Sequence, residues 1–337
     1  MFQGCKSLCL ATFRSQPQLN TKCISSLSKS EIIQRRNVLF NDEKKKQRAA
    51  IGRIEKIEVK YLSPQAEATL VMNKNISTPY DCTKHISSSV SKVAALALVD
   101  GKPWDMNEPL INDCELKILT MTTPETKEVN NAFWRTCSLV LGYVANSAFK
   151  DKIELHLHSF LYPIIQSGNF TYDVHINLPE WIPTQAELLA MSALFKKVSE
   201  NQWICERLKV SPNVALDIFQ DNPFKFKQIP NIADKNDNMI TLYRIGDHID
   251  ISKGPMVGNT GIIGRCSVTA IHKLKSQEDS KNLYRFQGVA IPRGVMINHF
   301  AYGILENRAK TWNHTSLKWK SKSESHDDVK LEAAALQ

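Results

Sequence analysis

Few side chains in this sequence have the type and spacing that chemistry requires. His156 and His158 are two residues apart on a strand-like segment, so they share a face and could bind a metal ion, but no third ligand stands near them. Residues 234–238 match the opening of a calcium-binding loop, yet Met239 stands where that loop needs glycine and Ile245 where it needs glutamate. These patterns favour a surface histidine pair and a polar turn, and we predict neither a bound metal ion nor another cofactor.

Two further segments have a composition that could serve binding. Residues 254–264 are rich in glycine but lack the Lys-Ser/Thr pair of a phosphate-binding loop, which favours a connecting loop. Near the C-terminus, Trp312 and Trp319 stand among Lys318 and Lys320, a composition suited to base stacking beside phosphates. Docking onto a protein neighbour and plain disorder are also compatible with it. Lys318 and Lys320 are candidate RNA-binding residues.

The cysteines form no framework. Three of the eight lie within the first 30 residues, and the other five are widely spaced and contain no Cys-x-x-Cys pair. Neither disulfides nor a zinc knuckle fits this arrangement. We expect buried thiols that act as small apolar side chains. These five residues are Cys82, Cys114, Cys137, Cys205 and Cys266.

Positive charge is concentrated at the N-terminus. Of the net charge of +9, residues 1–30 contribute +4 and residues 31–53 another +4, which leaves +1 for the rest. The first 30 residues contain no acid and carry spaced single cations among serine, threonine and apolar residues, which is typical of a mitochondrial presequence. An uninformative tail is the alternative. No apolar run approaches the ~18 residues of a membrane span, so we predict none.

Residues 31–53 have the composition of a basic helical arm with few apolar anchors. Such a helix either is a solvated surface element or neutralises phosphates and releases their counterions. In the second interpretation the arm contributes to assembly on RNA rather than to the stability of the folded body. Its candidate RNA-binding residues are Arg35, Arg36, Lys44, Lys45, Lys46 and Arg48.

From residue 54 the pattern changes to short strands. Apolar residues alternate with polar ones over 57–61 and again over 114–119, as in half-buried strands. Thr78 and Pro79 form a helix start, and Asp100-Gly101 after an apolar strand is a hairpin signal. Beyond a junction at residues 122–125, apolar residues recur at helical spacing from Phe133 to Ala148.

Two segments carry a family likeness: residues 133–142, FWRTCSLVLG, and residues 249–256, IDISKGPM. They resemble the two halves of the editing site of threonyl-tRNA synthetase, and further similar segments follow in the family's order between residues 54 and 292. Residues 97–104 resemble the TGS domain that begins those enzymes. The resemblance implies an α+β fold: a small β-grasp, TGS-like domain over 54–122, then a two-layer α+β editing-like domain over 126–293.

The reactive residues of that family are absent. Its first segment carries a His-x-x-x-His pair and its second a Cys-x-x-x-His pair. The matching positions in this sequence, which we regard as degenerate editing positions, are Arg135, Leu139, Ser252 and Met256. An arginine cannot act as a base near pH 7, and neither leucine nor methionine transfers protons. We therefore predict no catalytic residues and no enzymatic activity.

A site that no longer admits substrate can fill with side chains. We expect Leu139 and Met256 to lie near each other and to be buried. An unpaired guanidinium is costly to bury, so we expect Arg135 to reach solvent, an RNA phosphate, or a carboxylate such as Asp247 or Asp250.

The whole combination resembles a family of mitochondrial large-subunit ribosomal proteins that look like the front half of threonyl-tRNA synthetase. This resemblance implies a structural component of the mitochondrial ribosome in the matrix, which packs on large-subunit rRNA and neighbouring ribosomal proteins, supports translation and has no small-molecule substrate. The alternatives are a freestanding trans-editing deacylase and a tRNA-binding regulator. Over residues 294–337 we expect a C-terminal helix and a polar tail, without an aminoacylation domain.

Overall fold

The computed structural model describes residues 27–63, 67–123, 126–274 and 282–313. Most of the predicted presequence, Lys318, Lys320 and the polar tail lie outside these ranges. Within them the chain forms eight α-helices, twelve β-strands and two short 3₁₀ turns. No helix in the described ranges is long and apolar enough to cross a membrane.

The N-terminal part is one long helix followed by a five-stranded sheet with two short helices. The elements are α1 (Lys29–Ala49), β1 (Lys56–Leu62), β2 (Glu67–Asn73), α2 (Pro79–Ile86), α3 (Ser88–Val93), β3 (Leu96–Val99), β4 (Lys102–Trp104) and β5 (Cys114–Leu119). The strand order is β2-β1-β5-β3-β4, in which β1 and β5 are parallel and the other pairs antiparallel. This β-grasp sheet was predicted from the sequence, apart from the short strand β4.

Local chemistry explains these elements. The Thr78 hydroxyl accepts a hydrogen bond from the Asp81 amide, and the Asp81 carboxylate accepts one from the Thr78 amide, which fixes the start of α2. In β1 the side chains of Val59 and Tyr61 are buried while Lys60 is exposed, as the alternation predicts. Asp100 has a positive φ and begins the tight turn between β3 and β4.

The remaining elements build a larger α+β body. They are α4 (Thr126–Ala148), β6 (Leu155–Ser159), β7 (Phe170–Ile176), α5 (Gln185–Glu200), β8 (Glu206–Val210), α6 (Pro212–Ile218), α7 (Pro223–Ala233), β9 (Ile240–Ile245), β10 (His248–Ile251), β11 (Ile263–Lys273), β12 (Leu283–Pro292) and α8 (His299–Ala309). They form a four-stranded antiparallel sheet in the order β11-β12-β7-β6 and a three-stranded one in the order β10-β9-β8.

Helices cover both faces of the four-stranded sheet. Tyr172 and Val174 of β7 point into the apolar core that α4 and α5 share with the sheet. The intervening Asp173 faces the other way and forms a buried ion pair with Arg285 of β12, with an Nε–Oδ1 distance of 2.8 Å. On that side α8 packs against β11 and β12.

The three-stranded sheet has its own apolar cluster, and α1 belongs to it. The Phe40 side chain of α1 is fully buried among residues of α6, α7 and the sheet. The guanidinium carbon of Arg244 lies 4.3 Å from the centre of the Phe40 ring. The prediction that this arm does not contribute to folding is therefore wrong, whereas its contribution to assembly on RNA stays a prediction. One buried aromatic side chain, together with cations that form ion pairs with carboxylates of the body, docks the helix.

Candidate functional site

The two editing-like segments meet in the fold. The first lies on α4, and the second begins on β10 and continues into the loop before β11. Arg135 Nη1 donates a hydrogen bond to the Pro255 carbonyl at 2.7 Å, and the Val257 amide donates to Thr136 Oγ1 at 3.0 Å. The loop is thus fixed to the helix by contacts on both sides of Met256.

Leu139 and Met256 are both fully buried in the same apolar core, as their types predict. Neither side chain lines the cavity that remains between the two segments. Two of the four degenerate editing positions are therefore part of the hydrophobic core.

Arg135 was expected to reach solvent or a carboxylate such as Asp247 or Asp250, but it reaches none of these. Its side chain is only 7% exposed, and besides the bond to Pro255 its guanidinium carbon lies 5.5 Å from the centre of the Tyr162 ring. Burial lowers the pKa of Arg135 below its ordinary value. A backbone carbonyl and an aromatic face, which the expectation did not consider, accommodate the cation here. Contact of Arg135 with an RNA phosphate stays a prediction.

Ser252 is also mostly buried, and its Oγ accepts a hydrogen bond from the Gly254 amide at 3.3 Å. Gly254 itself has a φ of +69°, and a Cβ there would overlap the Tyr243 hydroxyl. Among the described residues, no histidine or carboxylate is hydrogen-bonded to Ser252, so nothing activates this hydroxyl as a nucleophile.

A cavity of about 290 Å³ remains between these segments. Arg135 and Ser252 line it together with Lys225, Lys253 and the exposed Tyr162. Its charged lining is cationic, which suits an anion and supplies no general base. The vestigial pocket has lost its reactive groups but has not closed completely.

A buried ionic cluster beneath this cavity was not predicted. Lys225 of α7 and Asp250 of β10 form an ion pair, and Tyr172 donates a hydrogen bond to the same carboxylate. Burial alone would raise the pKa of Asp250, but Lys225 holds it below its ordinary value. Both residues lie inside segments that resemble the ligase family. A charged residue among apolar neighbours was the sequence signal that could have predicted this ion pair.

A second unpredicted cluster joins the β-grasp part to the larger body. Asp105 accepts hydrogen bonds from the Met256 amide at 2.8 Å and from the Tyr243 hydroxyl at 2.7 Å. Arg207 of β8 lies 3.4 Å from the same carboxylate and also pairs with Glu108. Burial raises the pKa of Asp105 to about 6, although Arg207 acts in the opposite direction.

The candidate RNA-binding residues of α1 divide into two groups. Arg35 and Arg36 both bind the carboxylate of Asp221, and Lys44 pairs with Glu206. Lys45, Lys46 and Arg48 are exposed, and Lys46 lies 3.8 Å from Glu43 of the same helix. Lys318 and Lys320 lie outside the described residues. A role in RNA binding stays a prediction for all of them.

The other sequence-level candidates have ordinary structural roles. His158 Nδ1 is 2.8 Å from Ser159 Oγ, and burial lowers the pKa of His158 to about 4. Residues 234–238 form a polar turn after α7. In the described ranges no group of three or more metal-binding side chains occurs. Cys82, Cys137 and Cys205 are buried, whereas Cys114 and Cys266 are partly exposed.

Comparison with known proteins agrees with this geometry. The TGS domain family matches residues 60–120, which include most of the β-grasp sheet. The large ribosomal subunit protein mL39 of Drosophila melanogaster is 46% identical over 298 residues, which cover 88% of this chain and 89% of that protein. The chain belongs to the mL39 family.

The chain is also similar to part of several threonine–tRNA ligases. The cytoplasmic threonine–tRNA ligase 2 of Homo sapiens is 27% identical over 245 residues, which cover 72% of this chain but 28% of the ligase. The ligase of Thermotoga maritima is 29% identical over 220 residues, 64% of this chain and 32% of that enzyme. The chain thus spans about a third of these ligases.

Proposed function

We propose that this chain is a structural component of the large subunit of the mitochondrial ribosome, in the matrix, where it packs on rRNA and neighbouring ribosomal proteins. Membership of the mL39 family is the observation that carries this proposal. The burial of Leu139 and Met256 supports it, because a working hydrolase would need proton-transferring groups at an accessible site.

The proposal assigns the segments of the chain as follows. Residues 1–30 are a mitochondrial presequence, 31–53 a basic helix, 54–122 a TGS-like domain, 126–293 a degenerate editing-like domain, and 294–337 a C-terminal helix with a polar tail. The match of the TGS family to residues 60–120 supports the bounds of the TGS-like domain, 54–122. The docking of α1 on the larger body makes the basic helix part of the fold rather than a separate arm.

Sedimentation tests the assembly. A lysate of mitochondria is fractionated on a sucrose gradient and this chain is detected by antibody. We expect it in the fractions of the large subunit and, after dissociation of the subunit in high salt, near the top. A chain that stays near the top under both conditions would instead support a tRNA-binding regulator outside the ribosome.

Hydrolysis tests the enzymatic alternative. Purified protein is incubated with threonine-specific tRNA that carries serine, and release of serine is followed. We expect no turnover above the uncatalysed rate, since Arg135 and Ser252 lack an activating base. Turnover that disappears in Arg135→Ala would show a working trans-editing deacylase.

A further inference from the structure

The vestigial pocket is lined by cations and, among the described residues, by no aspartate, glutamate or histidine. The cations are Arg135, Lys225 and Lys253. The charge of Lys225 is balanced by Asp250, which lies outside the lining. Neither Arg135 nor Lys253 has a carboxylate partner in the described part of the chain. Two positive charges at this cavity are therefore uncompensated.

Two nearly buried side chains of the lining have unused hydrogen-bond donors. Arg135 is 7% exposed, and in the described structure its guanidinium donates only to the Pro255 carbonyl, through Nη1. Ser252 is 8% exposed and accepts a hydrogen bond from the Gly254 amide, but no described residue accepts its own proton. A buried charge without a counter-charge and a buried donor without an acceptor are both costly. An anion in the cavity would remove both costs.

Much of the remaining lining is apolar, and it includes Phe160, Leu161, Ile232 and Ile251. An inorganic ion would leave this surface uncovered. The volume of about 290 Å³ lies near the lower end of the range for small-molecule sites. The cavity therefore suits an anion that carries a small organic group.

The Tyr162 ring holds the guanidinium in place. Its centre lies 5.5 Å from the guanidinium carbon of Arg135, and the ring also lines the cavity. Since this contact and the bond to Pro255 restrict the arginine, less side-chain entropy is lost when it binds an anion.

We propose that the vestigial pocket binds an organic phosphomonoester. Arg135 and the Ser252 hydroxyl donate to the phosphate oxygens, Lys253 supplies the second positive charge, and the apolar lining contacts the organic group. A phosphomonoester carries nearly two negative charges at pH 7, which matches the two uncompensated cations, whereas a carboxylate carries one. The ligand is held and not converted, because no general base lines the cavity. This inference goes beyond the proposed ribosomal function and does not depend on it.

Calorimetric titration of the purified full chain with phenyl phosphate tests the ligand class. We expect saturable binding at one site. Phenyl phosphate should bind more tightly than benzoate, which has a single charge, and more tightly than inorganic phosphate, which has no organic group. Equally tight binding of either of these two ions would overturn the assignment to an organic phosphomonoester.

Substitutions in the lining test the residues. For Arg135→Gln we expect phenyl phosphate to bind about tenfold to a hundredfold more weakly, because charged hydrogen bonds are lost. For the exposed Lys253→Gln we expect a loss of about twofold to fivefold. The matched controls are Arg265→Gln, whose guanidinium stacks on Tyr302 outside this cavity, and the exposed Lys227→Gln. They should bind like the wild type. Unchanged affinity in both test variants, or equal losses in test and control variants, would overturn the proposal.

Thermal unfolding keeps the test decisive even if Arg135→Gln does not fold. A ligand that binds only the folded chain raises the melting temperature. At one subsaturating concentration of phenyl phosphate, we expect a smaller rise for Lys253→Gln than for Lys227→Gln. Equal rises in these two variants would contradict the proposed site.

A short RNA with a 5′-phosphate and the same RNA with a 5′-hydroxyl identify the source of the ester. Tighter binding of the phosphorylated RNA than of phenyl phosphate would assign the pocket to an RNA end, and weaker binding to a free metabolite. If both RNAs bind equally and more tightly than phenyl phosphate, the pocket recognises the RNA chain and the proposal is wrong.

Discussion

Lys225 and Asp250 are the most thoroughly buried opposite charges near the vestigial pocket, at 2% and 0% exposure. Tyr172 and the Ile251 amide add hydrogen bonds to the carboxylate, so most of its lone pairs are satisfied. Breaking a buried pair is far more costly than losing a surface one, because the remaining charge has neither water nor partner.

Replacement of Lys225 should show how much the Lys225–Asp250 pair contributes to stability. We expect Lys225→Met to lower the free energy of unfolding by about 3–5 kcal/mol in urea titrations. Asp250→Asn added to that variant should restore part of the loss, since it removes the stranded charge. Lys227→Met, an exposed residue of the same helix, should stay within about 0.5 kcal/mol of wild type. Equal effects of the two lysine substitutions would contradict the assignment.

His248 makes stability depend on pH. Burial lowers its pKa from 6.5 to about 4, with Asp250 acting in the opposite direction. The unfolded chain therefore binds a proton that the folded chain does not, and the contribution of His248, present above pH 6.5, is lost as the pH falls towards 4. His158 behaves in the same way.

We expect His248→Phe to flatten this dependence. The Nε2 atom has no hydrogen-bond partner in the described structure, so the aromatic replacement loses none there. The difference in unfolding free energy between pH 7 and pH 4.5 should shrink by about 2–3 kcal/mol. Urea titrations at the two pH values measure it, with the exposed His85→Gln as control. An unchanged difference would mean that His248 is charged in the folded protein.

At the scale of elements, α1 shows how little apolar surface can dock a helix. Phe40 is its only fully buried side chain in the described structure, and the rest of the contact is polar. Asn37 Nδ2 donates to the Asp247 carbonyl at 2.7 Å, and Gln47 Nε2 donates to the Lys209 carbonyl at 2.7 Å. The helix is thus fixed along most of its length by side chains that reach the body's backbone.

Truncation of the anchor should therefore destabilise the whole body. We expect Phe40→Ala to lower the free energy of unfolding by about 3–4 kcal/mol, as for other buried aromatic residues. Val38→Ala, at an exposed position two residues earlier, should change it by no more than about 0.5 kcal/mol. Thermal or urea unfolding distinguishes them. A Phe40→Ala protein as stable as wild type would restore the detached-arm interpretation.

The elements that have local sequence signals were predicted correctly. The positions of elements relative to one another were not always predicted. The cap at Thr78, the alternation from Ile57 to Tyr61 and the Asp100 turn each depend on residues a few positions apart. The docking of α1 depends on Asp221, which is 186 residues away from Arg35 in sequence. Composition alone could predict the helix but not the surface that receives it.

At the scale of the whole molecule, the joint between the β-grasp part and the larger body is polar and specific. Asn107 Nδ2 donates to the Gly258 carbonyl at 2.8 Å and to that of Cys205 at 3.1 Å. The Gly258 amide donates to the Ala95 carbonyl at 3.0 Å. With the Asp105 cluster, these bonds couple the two parts, so we expect them to unfold together.

Arg207 is the residue that should test this coupling. It supplies the positive charge to Asp105 and Glu108, so we expect Arg207→Leu to cost about 3 kcal/mol. The loss should be larger at pH 8 than at pH 5, because Asp105, with a pKa of about 6, is ionised only at the higher value. Lys60→Leu, at an exposed position of β1 outside this cluster, is the control. A pH-independent loss would show that Asp105 does not take part.

The site itself was only partly predictable. The sequence resemblance located Arg135, Leu139, Ser252 and Met256, and the two apolar residues are buried as expected. Two partners that fix the site, Asp105 and Tyr243, lie outside the two editing-like segments, and Arg135 is held by the backbone carbonyl of Pro255. Residue types at matching positions carry no information about such contacts.

The hydrogen bond from the Met256 amide to Asp105 and the burial of Leu139 leave little room for reactive side chains at these positions. The backbone at that position is tied to a neighbouring domain, and the Leu139 side chain fills the core. A reversion of Leu139 to histidine would place a polar ring in an apolar interior and destabilise the chain before any activity could return. The packing of this interior therefore disfavours a histidine at position 139.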